Sequence, residues 1–415
     1  MITLINIKSR VDDFCQHIPY YFLMTTEKRL FNAILNRIHH GGVRVTYWDG
    51  DSYTFGPTKP YYHMQIRSPR AIRAMLKNLS LGFGESYSNG LIEIKGDLQG
   101  PIRLLSENQE AFAGLNKLLY FAKLHKNVRG KQRSYIAHHY DIGNDFYKLW
   151  LDKSMLYSCA YFTSEKDTLE AAQIQKIEHI LKKLQLQPSQ TLLDIGSGWG
   201  TLLITAAKKY GVTGHGVTLS KEQLAYAQAA AKKAKVADKI TFELANYQDL
   251  PARGLTFDRI VSVGMFEHVG KNNHAAYYKA INALLKPDGV SVLHTITQQT
   301  ELPNDPWIDK YIFPGGYIPS NREIVSAFPE YNFRLTDYEN LRIHYAMTLE
   351  EWTRRYEKHR PTIVKMFDKQ FYRTWHAWLA SSAASFRYGH LDLSQYVFTK
   401  GPQNDMPLTR DFLYK

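Results

Sequence analysis

Leu192-Leu193-Asp194-Ile195-Gly196-Ser197-Gly198-Trp199-Gly200 decides the fold of this chain. An apolar run ends at Asp194 and Ile195, then breaks into three glycines at every second position. The pattern predicts a buried strand, a turn, and a helix opening near Thr201. Glycine lets the backbone approach a ligand that side chains would push away. The helix N-terminus then offers unpaired N–H groups to the polar end of that ligand. A dinucleotide-binding turn has its third glycine one residue later, so a different ligand is expected here.

Apolar strands alternate with helical stretches on both sides of this run. Strands are expected at residues 191–195, 214–218, 240–244, 259–264 and 290–297. Such alternation predicts an α/β fold with a parallel sheet wrapped by helices. Ligands in such sheets bind beyond the carboxyl ends of the strands. Residues 301–345, rich in Pro, Gly and aromatics, read as an irregular insertion covering a pocket. Residues 349–386 carry Trp352, Tyr356, Phe367, Phe371, Tyr372, Trp375, Trp378 and Phe386 at helical period.

The first third reads as a separate α+β domain, residues 1–123, without a catalytic motif. A helix is expected at 27–40, ended by Gly41-Gly42. A hairpin follows, from 43–48 through Asp49-Gly50 to 53–55. Ser68-Pro69 opens another helix. Residues 82–96 read as a glycine-punctuated turn and strand, and 102–124 as helix. A basic linker is placed at 124–134, with the remaining unit at 135–415.

At 415 residues the chain is long enough for two or three domains. Its 52 basic and 39 acidic residues leave a net charge of +13, which favours an anionic partner. No nucleic-acid-binding signature accompanies that charge. Cys15 and Cys159 have neither metal-like nor disulfide-like spacing, as in a reducing compartment. Residues 1–13 lack the apolar core of a signal peptide. No run of about 18 apolar residues would span a bilayer.

Chemistry is expected at the sheet's ligand edge. Gly264-Met265-Phe266-Glu267-His268-Val269-Gly270 delivers an adjacent carboxylate and imidazole, either an acid/base pair or a satisfied salt bridge. His294 sits in the apolar strand Val292-Leu293-His294-Thr295-Ile296, as a structural or a functional imidazole. Tyr157-Ser158-Cys159-Ala160-Tyr161 precedes the sheet. Its thiol reads as a nucleophile only if a base stands beside it, and none is evident.

The glycine spacing resembles the first motif of S-adenosylmethionine (SAM) methyltransferases. Many of these place a carboxylate at the end of the second strand; this chain has Val217-Thr218-Leu219-Ser220 there, with Gln223 as a polar substitute. Several pieces together resemble the cyclopropane fatty acid synthases. They are His139-Tyr140-Asp141-Ile142-Gly143-Asn144-Asp145, the Tyr157 and Asp194 runs, Gly264 to Gly270, Leu293-His294-Thr295-Ile296, and Trp307-Ile308-Asp309-Lys310-Tyr311-Ile312-Phe313-Pro314. The resemblance covers residue 135 to the C-terminus. The first third looks like the lipid-binding domain of bacterial members, which points to the phospholipid-acting branch.

The resemblance implies methylene transfer from SAM to a cis double bond of a membrane phospholipid. It implies a bound bicarbonate as base, held by Glu267, His294 and Tyr345 with the main chain near Cys159 and Ile296. SAM would lie against Tyr157, Ser158, Asp194, Gly196, Gly198, Thr218, Leu219 and Gln223, with Asn246 and Tyr247 at the adenine. Family members often have Asp where Asn246 stands. Aromatics from 307–313 and 375–386 would keep water from a carbocation. A cytoplasmic enzyme is expected, peripheral to an anionic membrane surface, without nucleic acid or metal and in a dimer. Phe14, Tyr20, Tyr21, Phe22 and Leu23 would hold lipid or form ordinary core. Rival readings are a fatty-acyl C-methyltransferase giving branched or hydroxylated chains, a non-catalytic lipid-binding relative, and a nucleic-acid methyltransferase. The last accounts for the charge but not for the aromatic insertion.

Overall fold

The computed structural model describes residues 25–112 and 142–414. They divide into two compact units, residues 25–97 with 107–112 and residues 98–106 with 142–414. Cys15, the aromatic cluster at 14–23, the expected linker and His139-Tyr140-Asp141 lie outside the described residues.

In the smaller unit, Thr25 opens α1 (Thr26–Leu35) by accepting the Lys28 N–H on its hydroxyl. β1 (Val43–Thr46) and β2 (Ser52–Phe55) form the expected hairpin, with Gly50 at φ +96° in its turn. The buried Lys28 side chain pairs with Asp49 and Asp51 at that turn. β3 (Tyr62–Ile66) runs parallel to β1. α2 (Pro69–Lys77) begins at the Ser68 cap and Pro69 as read. Residues 82–88 depart from expectation. They lie in a helix, α3 (Leu79–Ser88), before β4 (Ile92–Gly96) completes the sheet order β2-β1-β3-β4. Asn78 caps α3 by accepting the Leu81 N–H at 2.9 Å. A Cβ on Gly82 would collide with the Ala74 backbone, so this glycine serves close packing of two helices and not a turn.

In the larger unit, most of α4 (Gly100–Glu107) is held locally: the Arg103 guanidinium lies 5.1 Å over the Tyr388 ring. A short turn of helix, α5 (Asn144–Tyr147), and a long one, α6 (Leu169–Leu184), lead into the sheet. β5 (Thr191–Ile195), α7 (Thr201–Tyr210), β6 (Thr213–Thr218), α8 (Lys221–Lys233) and β7 (Ile240–Leu244) follow in strict alternation. The chain then returns to the other side of β5 with β8 (Phe257–Val263), α9 (His274–Leu284) and β9 (Leu285–Gln298). These five strands are parallel. The direction of winding reverses between β5 and β8, which opens a crevice at their carboxyl ends.

Alternation along each strand fills both faces of the sheet. Leu193, Ile195, Ile260 and Leu293 pack with Tyr277, Ile281 and Leu284 of α9. Leu192, Val261, Val290 and Val292 pack with Ile177, Ile180 and Leu181 of α6 and Leu203 of α7.

The sheet is mixed, not purely parallel. The insertion holds α10 (Pro306–Tyr311), α11 (Asn321–Ala327) and a strand, β10 (Phe333–Asn340). After α12 (Arg342–Lys358), α13 (Arg360–Met366) and α14 (Lys369–Arg387) comes β11 (Leu391–Lys400). β11 inserts antiparallel between β9 and β10, giving the order β10-β11-β9-β8-β5-β6-β7. β10 has charged and polar residues at most positions because it is the sheet edge, which hid it from an apolar-run reading. Of the aromatics expected at helical period in 349–386, Trp352 and Tyr356 are fully buried, and Trp375 packs edge-on to Phe146 at 4.9 Å.

Candidate active site

A cavity of about 1090 Å³, including its mouth, lies at the carboxyl ends of β5, β6 and β8. All ten residues expected at the cofactor, from Tyr157 through Asp194 and Gln223 to Tyr247, line it. Gly196, Gly198 and Gly200 have φ of +84°, +54° and +89°, the left-handed region that side chains disfavour. Thr218 donates its hydroxyl to Gln223 Oε1 at 2.8 Å. That bond occupies the Gln223 carbonyl and leaves its NH₂ to donate elsewhere. Asn246 Oδ1 accepts the Gln248 N–H at 3.0 Å and so shapes the turn beneath Tyr247. Tyr157 sits among Tyr147, Trp150, Trp352 and Trp378, a ring-lined wall suited to a cation.

Sequence reasoning missed Lys176, a buried amine on α6 that also lines the cavity. Its Nζ donates to Ser158 Oγ at 2.7 Å. Burial pushes Lys176 down to about 8, with Asp152, Cys159 and Asp194 pulling the other way. Burial pushes Asp194 up to about 7, opposed by Lys176. A lysine midway along an amphipathic helix reads as solvent-facing; only the tertiary packing reveals it. Trp199 has a structural role that its place in the glycine run does not announce. Its indole N–H donates to Asn144 Oδ1 at 2.7 Å, which ties the glycine turn to α5.

The other expected group lies outside the residues lining this cavity. Glu267 is partly exposed as a residue, but its Oε2 is buried, and its Oε1 accepts the Ile296 N–H at 2.7 Å. The Ile296 N–H is thereby taken up by the Glu267 carboxylate. Burial raises the Glu267 pKa above the usual carboxylate range. His294, almost fully buried, accepts from the Gln395 amide on Nδ1 at 2.9 Å. Burial, with Lys176 and Lys183 adding to it, pushes His294 well below the usual histidine range, so the ring is neutral. Glu267 Oε2 and His294 Nε2 are both buried without a protein partner.

Backbone links join the remaining members to this pair. Leu393 is paired with Ile296 across β11 and β9, and its carbonyl accepts the Leu341 N–H at 2.7 Å. Leu341 in turn accepts from the Cys159 thiol at 4.0 Å, and the Ala160 N–H donates to Thr348 Oγ1 at 3.0 Å. Tyr345 lies between those two residues of α12, its ring 4.6 Å from that of Phe386. Backbone pairing and hydrogen bonds thus link the segments that carry Cys159, Ile296 and Tyr345. Cys159 is fully buried and burial raises its thiol pKa far above the usual value, which removes it as a thiolate nucleophile. Glu267 and His268 divide: the carboxylate turns to β9, whereas His268 lines the cavity edge-on to Phe313. Burial pushes His268 down to about 4.

Residues 127–396 match the family model described as mycolic acid cyclopropane synthetase. The chain belongs to this family. It is a SAM-dependent methyltransferase by fold and family. A cyclopropane-fatty-acyl-phospholipid synthase of Escherichia coli is 38% identical over 84% of this chain and 90% of its own length. A probable fatty acid methyltransferase of Pseudomonas putida is 34% identical over 91% of this chain and 97% of its own. Among solved structures, a cyclopropane synthase from Mycobacterium tuberculosis is 36% identical, with TM-score 0.62 over 65% of this chain and 98% of its own. A mycolic acid cyclopropane synthase complexed with SAH and CTAB is 34% identical, with TM-score 0.61 over the same shares. Residues 30–117 match a domain of unknown function, so this cyclopropane synthase relative carries a further module before its catalytic part.

Proposed function

We propose that the protein transfers a methylene group from SAM to a cis double bond in an acyl chain of a membrane phospholipid, forming a cyclopropane ring. One observation carries the reading: among the buried side-chain atoms without a protein partner are Glu267 Oε2 and His294 Nε2, and Glu267 is bound to β9 at Ile296, two residues beyond His294. A buried polar group without a partner is costly, and such a pair fits a small anion that bears one proton. Bicarbonate meets that description, accepting from the His294 N–H while its O–H is held by Glu267. Tyr345 and the main chain near Cys159 complete the proposed set. Bound there, bicarbonate would supply the proton acceptor for ring closure.

SAM supplies an electrophilic methyl on sulfur. The residues of this chain hold it: Gly196 and Gly198 admit it, Thr218, Leu219 and Gln223 grip its ribose, and Asn246 and Tyr247 flank its adenine. Tyr157 and Ser158, on the same segment as Cys159, bridge the cofactor cavity to the anion place. The alkene would attack the methyl as its bond to sulfur breaks and S-adenosylhomocysteine leaves, and loss of a proton from that carbon to the bound bicarbonate would close the ring. The resulting carbocation must be kept from water. Rings continue from His268 through Phe313 to Trp378 and Tyr157, which supports that role.

The E. coli relative's name supports a phospholipid substrate, and the charge of +13 supports work at an anionic membrane face in the cytoplasm. Among the described residues no helix is long and apolar enough to cross a membrane. The test is mass spectrometry of unsaturated, partly anionic phospholipid vesicles incubated with protein and SAM. A gain of one CH₂ per acyl chain with loss of the double bond is expected. A second reading is branched-chain methylation, favoured by two relatives' names, the probable fatty acid methyltransferase and a tuberculostearic acid methyltransferase 32% identical over 93% of this chain. The same mass gain with an alkene retained would select it. No lipid change despite SAM binding would overturn both.

Two further results are expected here. As pH rises through 7 and 8, Asp194 gains its negative charge and Lys176 loses its positive one. Both changes make the cavity wall more negative, so SAM should gain on S-adenosylhomocysteine, whose sulfur is uncharged. The affinity ratio should climb about tenfold between pH 6 and pH 9, and a flat ratio would detach these groups from the sulfonium. Cys159→Ser should keep turnover readily measurable, because the thiol donates only to main-chain carbonyls. Complete loss in a folded variant would restore a role for the sulfur itself.

A further inference from the structure

A buried polar chain runs behind His294, away from the cofactor. Gln395 sits directly across from His294 in the pairing of β11 with β9. Its Nε2 meets His294 Nδ1 at 2.9 Å and its Oε1 meets Lys183 Nζ at 2.8 Å. Lys183, on α6, is held in turn by Glu339 at 2.5 Å and Asp337 at 3.6 Å, both on β10. His179 reaches the same Glu339 oxygen at 2.6 Å. Gln395, Lys183 and His294 are each at most 1% exposed.

The donor inventory fixes every proton in this chain. An ammonium donates and never accepts, so Gln395 must turn its carbonyl oxygen to Lys183. Its NH₂ then faces His294 Nδ1, and Nδ1 must accept. The neutral imidazole has one proton left, and it sits on Nε2, the atom without a protein partner. A flipped amide would set NH₂ against ammonium between side chains that are almost fully buried.

We propose that Gln395 and Lys183 are positioning residues that lock His294 as the Nε2–H tautomer, so that it presents a donor to the anion beside Glu267. The part concerning the anion rests on the bicarbonate reading above; the tautomer does not. The ion pairs of Lys183 with β10 thereby act on the reaction without touching substrate or cofactor. The orientation of one imidazole on β9 is set from the sheet edge at β10, two strands away.

The test uses full-length protein with ¹⁵N-labelled histidine, and reads imidazole nitrogen shifts by NMR. Comparison with His294→Gln assigns the His294 signals. The wild type should show protonated Nε2 and bare Nδ1. Gln395→Glu keeps size and still accepts from Lys183, but can no longer donate to Nδ1. It should move the proton to Nδ1, and the half-saturating bicarbonate concentration should rise at least about tenfold, the worth of one hydrogen bond to a charged group. SAM affinity, measured separately, should hold within about threefold, since the cavity lining is untouched. Gln395→Leu, which adds no acid, guards against misfolding and should give a mixture of both tautomers. An Nδ1–H wild type, or an unchanged tautomer in both variants, overturns the proposal. Tautomers that shift as stated while bicarbonate neither binds nor accelerates the wild type would overturn the anion reading and leave the positioning role standing.

Discussion

Glu267→Gln is expected to lower turnover at least ~100-fold, the usual scale for losing a group that manages a proton in the transition state. SAM affinity should change little, because Glu267 is not among the residues lining the cofactor cavity. The substitution keeps shape, and the amide oxygen still accepts the Ile296 N–H. Only the other position changes, from an acceptor to an NH₂ that cannot receive a ligand's O–H. Stability should hold or rise, since the native carboxyl has its Oε2 buried and unpaired, and burial raises its pKa. Activity lost without stability lost marks a group kept for chemistry. Turnover, SAM binding and thermal midpoint measured on one preparation decide it. Loss of SAM binding would move Glu267 to the cofactor, and unaltered turnover would take it out of the reaction.

The elements legible in the sequence were those whose signal is local. The strand at 191–195, its glycine turn and the five alternating strands follow from apolar runs and turn residues. The linkage of the segments that carry Cys159, Glu267, His294 and Tyr345 is not local. It needs β11 between β9 and β10, and no periodicity in residues 391–400 announces which strands they will join. Those residues are buried on both faces, so polar Ser394, Gln395 and Thr399 interrupt the apolar run that would mark a central strand. Gln395 is polar for the same reason that His294 is: each answers the other. Lys176 shows the limit from another side. A lysine on an amphipathic helix is ordinarily solvent-facing, and its role depends on Ser158 and Asp194 arriving from elsewhere. The helix at Leu79–Ser88 was obscured by glycines that serve packing instead of turning.

Valine placed at Gly198 and at Gly200 should separate cofactor binding from folding within a single motif. Both residues have positive φ, +54° and +89°, so each variant bears a backbone cost of about 1–2 kcal/mol. Their surroundings differ. A Cβ on Gly198 meets nothing within 4 Å, at a position that lines the cavity. A Cβ on Gly200 would lie 2.7 Å from Phe242 Cζ and 2.9 Å from Ala227 Cβ, inside the packing of β7 and α8 on the turn. Neither contact is the far end of a flexible chain, so the clash cannot relax cheaply; overpacking adds about 1–3 kcal/mol. Gly198→Val should therefore fold, with a midpoint lowered by a few degrees, yet bind SAM at least ~100-fold more weakly because the isopropyl group occupies the space the ligand needs. Gly200→Val should lose about 3 kcal/mol or more, enough to depress yield and midpoint sharply in a protein of ordinary marginal stability. Differential scanning calorimetry alongside SAM titration reads both effects. The assignment fails if Gly198→Val binds SAM normally, since the backbone would then not approach the cofactor at that point. It fails equally if Gly200→Val is as stable as Gly198→Val, since the third glycine would then be answering to the ligand and not to Phe242.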